Sequence, residues 1–142
     1  MKIVALSLVV LAVVIGVVPH FTDCESQNRS MVLGNGYLVP YKCHWTAMAE
    51  LGMAGGLAAL ALAMMRIENG EAKRKLSMVG IALGALVALF PTFLIGVEPT
   101  ADYLCNSVMR PTLVASGALV IAICAASMFN VLITGDNPQT SD

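Results

Sequence analysis

Tyr41-Lys42-Cys43-His44-Trp45-Thr46 leads into a run that stays apolar to Met65, interrupted by a single charge, Glu50. A bilayer core about 30 Å thick needs roughly 20 residues of helix, and this stretch supplies them. It joins a polar cluster able to carry chemistry to a segment able to hold that cluster at a membrane surface. A similar outline, Tyr103-Leu104-Cys105 followed by Arg110-Pro111 and a second apolar run, starts 62 residues later. With two more apolar stretches, the expected helices cover residues 3–18, 46–65, 76–97 and 111–133. The fold class that follows is all-α, an integral membrane four-helix bundle of two helix hairpins.

Composition supports that class. Of 142 residues, 58% are hydrophobic and 12% charged, with mean hydropathy +0.80. Soluble domains carry about 25% charged residues, and a chain this short cannot hide so much apolar surface in its own core. Lipid is the expected surrounding. The net charge of −1 gives no basic field for nucleic acid. Lys2 before a short apolar run resembles a secretory signal. However, no small-x-small site precedes Pro19-His20-Phe21, and Phe21-Thr22-Asp23 before Cys24 does not suit lipoprotein processing. A retained first helix is expected.

Lys and Arg near helix ends set orientation. With both termini cytoplasmic, the inner side holds Lys2, Arg66, Lys73, Arg74 and Lys75, five in all, against three outside, Arg29, Lys42 and Arg110. The 19–45 and 98–109 loops are then outer and the 66–75 loop inner. Residues 134–142 read as a short disordered cytoplasmic tail. Gly34-Asn35-Gly36 reads as a turn, and Tyr37, Tyr41, Trp45 and Tyr103 as interface aromatics. Pro91 should kink the third helix, Pro111 suits the first turn of the fourth, and Thr46 could cap the second.

The repeat can be aligned further. Matching Cys43 to Cys105 also pairs Leu51 with Leu113, Gly55 with Gly117 and Leu57 with Leu119. Val18-Pro19-His20-Phe21 likewise resembles Phe90-Pro91-Thr92-Phe93. An internal duplication is the natural reading. Gly52-x-x-x-Gly56 and Gly80-x-x-x-Gly84 mark expected helix-packing faces, within the bundle or between two copies in a homodimer.

Cys24, Cys43 and Cys105 fall on the outer side, where disulfides form, and Cys124 lies inside the fourth helix as a small buried apolar residue. Three pairings are open. A Cys43–Cys105 bridge would staple the hairpins and contribute about 4 kcal/mol in the chain-entropy model. The sharper alternative is a ligand site: Cys24, Cys43, His44, His20 and Cys105, with Met48 and Met109 nearby, suit Cu(I), Zn(II) or haem. Neither metal nor haem is favoured over the disulfide. Glu50, the one acid within a span, is expected to pair with Arg110 across the second and fourth helices. No Cys-x-x-Cys, phosphate-binding loop, Ser-x-x-Lys or His-Glu-x-x-His occurs, so an enzyme is disfavoured.

Lys42-Cys43-His44-Trp45-Thr46-Ala47 with Ala49-Glu50-Leu51 resembles the signature of a prokaryotic membrane family catalogued as domain of unknown function 4418. Pro91-Thr92-x-Leu94-Ile95-Gly96-Val97 and Met109-Arg110-Pro111-Thr112-Leu113 agree with it. The resemblance implies a four-helix protein of the prokaryotic cytoplasmic membrane with no assigned activity. It suggests ABC-type exporter subunits as a partner, and hence an accessory role. In relatives a further cysteine is expected after Ile-Gly-Val, where this chain has Glu98.

Overall fold

The computed structural model describes residues 2–22, 31–40, 42–96 and 104–135. Its long helices are α1 (Lys2–Thr22), α2 (Lys42–Arg66), α3 (Gly70–Leu89) and α4 (Arg110–Gly135). α1 packs chiefly on α2 and α3 chiefly on α4, so the bundle is two hairpins laid together. Each has a span long and apolar enough to cross a membrane, yet only 28–33% of each span is buried inside the protein. The remainder presents large apolar side chains outward, among them Ile3, Val10, Phe93 and Phe129. Water would not support so much exposed apolar surface. The surface is made for lipid.

Every helix starts earlier, or ends later, than its apolar run. α1 continues through Pro19, which is buried, to Thr22, whose hydroxyl donates to the Val18 carbonyl at 2.8 Å. α2 begins at Lys42, so Thr46 is not a cap. It lies one turn inside, where its hydroxyl donates to the Gly96 carbonyl at 2.9 Å. α3 opens with Asn69 as N-cap, its side chain accepting from the Glu71 N–H at 3.0 Å. The expected inner loop at 66–75 therefore shrinks to a turn, and Lys73-Arg74-Lys75 are helical. Lys75 meets Glu71 one turn back at 2.8 Å, both exposed, a pair of little energetic weight.

Proline positions are where the sequence reading changes most. Beyond α3 the chain widens into a π-helical turn at Phe90–Leu94 containing Pro91. Proline offers no N–H to the preceding turn, and a wider turn relieves the clash. The Thr92 hydroxyl donates to the Ala88 carbonyl at 2.8 Å, and Gly96 (φ 78°) closes the segment. A second π-helical turn, Cys105–Met109, precedes α4. Pro111 stands second in α4, in its first turn as expected, with the turn of π-helix before it, and the Thr112 hydroxyl donates to the Val108 carbonyl at 2.7 Å. Residues 31–39, expected as loop, form a small antiparallel ribbon. Met31 pairs with Val39 and Val32 with Leu38, around the turn at Gly34-Asn35-Gly36 (Gly36 φ 82°).

The two hairpins bury equivalent positions. Ala5, Leu8, Ala12, Ile15 and Pro19 of the first hairpin recur 72 residues later as Ser77, Gly80, Gly84, Val87 and Pro91. Thr46, Glu50, Ala54, Leu57, Ala61 and Met64 of α2 recur 63 residues later as Met109, which ends the π-helical turn, and Leu113, Gly117, Val120, Cys124 and Ser127 of α4. The offset of 62 that aligns Cys43 with Cys105 becomes 63 because the π-helical turn accommodates one extra residue. The pairs Leu51–Leu113, Gly55–Gly117 and Leu57–Leu119 are corrected accordingly. A Cβ added at Gly16 would lie 3.2 Å from the Ala54 Cβ, and one at Gly117 would lie 3.2 Å from the Ala88 Cβ. These are the same contact with glycine and alanine exchanged. Both registers are those that the expected internal duplication would leave.

Of the expected packing glycines, Gly80 and Gly84 are buried against α4. A Cβ on Gly80 would run into the Cys124 sulfur. One on Gly84 would lie 2.9 Å from the Gly117 carbonyl oxygen. Gly52 has nothing within 4 Å, and Gly56 meets only Leu83 at 3.9 Å. That pair builds no seam in the bundle.

Candidate functional site

Starting α2 at Lys42 puts Cys43, Thr46, Ala47 and Glu50 on one buried face, since positions three, four and seven apart share a side of a helix. Cys43 is fully buried and disulfide-bonded. The side chains of Cys24 and Cys105 lie outside the described residues, so neither candidate partner is placed. His44 is half-buried and sits edge-on to Trp45, ring centres 5.7 Å apart. His20 is exposed and sits edge-on to Phe21 at 6.2 Å. Met109 is buried and Met48 exposed. Among the described residues no group of three or more His, Cys, Asp or Glu comes together as a metal site. A disulfide sulfur is not a thiolate ligand, so Cys43 as bonded here does not start one.

Thr46 ties α2 to the end of the Phe90–Leu94 turn through its bond to Gly96. Changing Thr46 to valine keeps the shape and removes the donor. The expected result is a loss of about 1 kcal/mol, read as a lower melting temperature in detergent.

Glu50 lies one turn further in and is 0% exposed. Neither carboxyl oxygen has a hydrogen-bond partner among the described residues. The expected Glu50–Arg110 pair is not made. Arg110 is exposed, because the π-helical turn before it displaces α4 by one position and brings Leu113, not Arg110 or Thr112, to the place equivalent to Glu50. Glu50 faces into the bundle and is covered by it, so its carboxyl reaches no outer surface of the protein. Ser77, buried in α3, likewise has no partner for its hydroxyl among the described residues.

The remaining concentration of unusual residues faces outward. Gly52 and Gly55 are exposed with nothing within 4 Å, and Ala59 continues the same face. At its far end Ala59, Leu62, Ala63, Arg66 and Ile67 line a hollow of about 490 Å³. A second hollow, about 510 Å³, runs along the α1–α2 seam. Sequence reasoning passed over Gly117 and Gly55, which it used only to align the repeat. The signal for Gly117 was a small residue on α4 opposite Gly84. Nothing in the sequence distinguished the outward Gly55 from an inward one.

These features define an integral four-helix membrane protein with Thr46 and Glu50 buried beneath one end. The chain matches the family described as a domain of unknown function (DUF4418) over residues 3–130, and it belongs to that family. Neither the curated proteins nor the solved structures provide a match.

Proposed function

We propose that this protein is a small non-enzymatic subunit of a larger membrane complex, docking through the outward face of α2. The observation that carries the reading is the division of its glycines. Gly80, Gly84 and Gly117 are consumed by the α3–α4 seam, whereas Gly52 and Gly55 line an exposed face with open space beside them. Small residues let transmembrane helices approach closely enough for dispersion and weak hydrogen bonds to act. Toward lipid the same glycines gain nothing. They also cost helix propensity, about 1 kcal/mol each relative to alanine. The hollow at Ala59, Leu62, Ala63, Arg66 and Ile67 extends that face toward the α2–α3 turn and gives a partner helix a second foothold.

In this reading the membrane is the prokaryotic cytoplasmic membrane, and both termini are cytoplasmic, as the Lys and Arg distribution favours. An ABC-type exporter is the partner class taken from the family resemblance. Cys43 and Cys105 staple the two hairpins on the outer side. Purification from native membranes in mild detergent tests the proposal. Wild-type protein should elute in a complex of fixed stoichiometry, and Gly52→Leu should elute alone with its own melting temperature intact. Wild-type protein that elutes alone, or a complex indifferent to Gly52→Leu, would overturn it.

A further inference from the structure

We infer that Glu50 is a proton-binding site inside the bundle, loaded and emptied by way of Thr46 from the end that carries Lys42. The Glu50 side chain is fully buried, and neither carboxyl oxygen has a hydrogen-bond partner among the described residues. The fold does not need an acid there, since the second hairpin packs the fully buried Leu113 at the equivalent position. Acids held inside membrane spans mark ion and proton paths.

The surroundings decide the occupant. On α1 no ionisable side chain stands between Lys2 and His20. From α3 to Gly96 none follows Lys75, and on α4 only the Cys124 thiol follows Arg110. Within α2, Cys43 is disulfide-bonded, and His44 lies six residues away on another side of the helix. Glu50 therefore has no counter-charge among the described residues of the bundle. Hard cations such as calcium and magnesium take six or more oxygen ligands, whereas Thr46 is the only other residue of α2 with a side-chain oxygen. A proton needs one lone pair.

Thr46 also supplies the route. It is fully buried and donates to the Gly96 carbonyl at 2.9 Å, and Gly96 itself is only half-buried. The Cα–Cβ bonds of a helix tilt toward its N-terminus, so that of Glu50 tilts toward Thr46, one turn nearer the Lys42 end. A hydroxyl accepts as well as donates. The Glu50 carboxyl gives its proton to the Thr46 oxygen, Thr46 gives its own to water beside Gly96, and the reverse sequence reloads the acid. Gly96 closes the π-helical turn at Phe90–Leu94, a kind of turn frequent at functional sites. This inference rests on the membrane-spanning fold and not on the docking face of α2, which is the exposed side carrying Gly52 and Gly55.

Infrared difference spectroscopy of the full chain in an ester-free detergent, recorded as the pH is stepped, tests it. Wild-type protein should show a carbonyl stretch of a protonated carboxyl that is lost as pH rises and returns as pH falls. The band should be missing from Glu50→Gln, a variant expected to keep its melting temperature. Exchanging choline chloride for sodium chloride should leave the titration in place. Thr46→Val should keep the band but slow its shift on transfer to heavy water. A Glu50 band that persists at every pH where the protein stays folded, a titration displaced by sodium, or an equally fast shift in Thr46→Val would overturn the assignment.

Discussion

Glu50→Leu is expected to raise the melting temperature of the detergent-solubilised protein by several degrees. A fully buried carboxyl whose oxygens find no partner among the described residues subtracts from stability. Buried unsatisfied groups cost about 1–3 kcal/mol, and exchanging a buried polar group for an apolar one of similar volume is often stabilising. Leucine is also what the second hairpin carries at the equivalent place, Leu113, itself fully buried. Glu50→Gln should change little, because an amide there is as unpartnered as the acid. An ion pair with Arg110 would reverse both results, with either substitution lowering stability by stranding a cation. Thermal melting of the three proteins in one detergent separates the cases. Whatever Glu50 contributes, it is not the cohesion of the bundle, and intramembrane acids retained at such a cost are functional by default.

Gly117→Ala is expected to cause a large loss of stability for the addition of one methyl group. The added Cβ would sit 2.6 Å from the Gly84 carbonyl oxygen and 3.1 Å from the Ala88 backbone nitrogen. Both are backbone atoms that cannot rotate away. Overpacking of this kind costs about 1–3 kcal/mol, and α3 and α4 would have to part to relieve it. Gly52→Ala is the matched control. Its Cβ meets nothing within 4 Å, so the monomer should gain up to about 1 kcal/mol from helix propensity. Similar melting shifts in the two variants would contradict the α3–α4 seam as described.

Much of the fold was legible because its determinants are long-range averages. Four apolar runs of bilayer length survive any error in their ends, and the turn at Gly34-Asn35-Gly36 is written in residues that tolerate positive φ. Helix ends were not legible, because Lys42 and Glu71 are polar yet helical, and hydropathy stops where water begins rather than where hydrogen bonding ends. Pro91 was read as a kink and Pro111 as a first-turn residue, but a π-helical turn is a response of the surrounding backbone and leaves no mark of its own in composition. That one missed turn shifted the α4 register by a residue, and with it failed the expected Glu50–Arg110 pair. The glycine pairs show the same limit. Gly52-x-x-x-Gly56 and Gly80-x-x-x-Gly84 are identical as patterns, and only the packing of α3 on α4 makes one inward and the other open.

The measurement closest to the central claim is a photo-crosslinking amino acid placed at position 52 and, separately, at position 119 of α4, in native membranes. Leu119 is as exposed to lipid as the α2 face but has no glycine beside it on that face. Position 52 should give a single protein adduct of defined mass, and position 119 lipid adducts alone. Lipid adducts alone from both positions, or a position-52 adduct with a second copy of this chain, would contradict a subunit that docks a different membrane protein through α2.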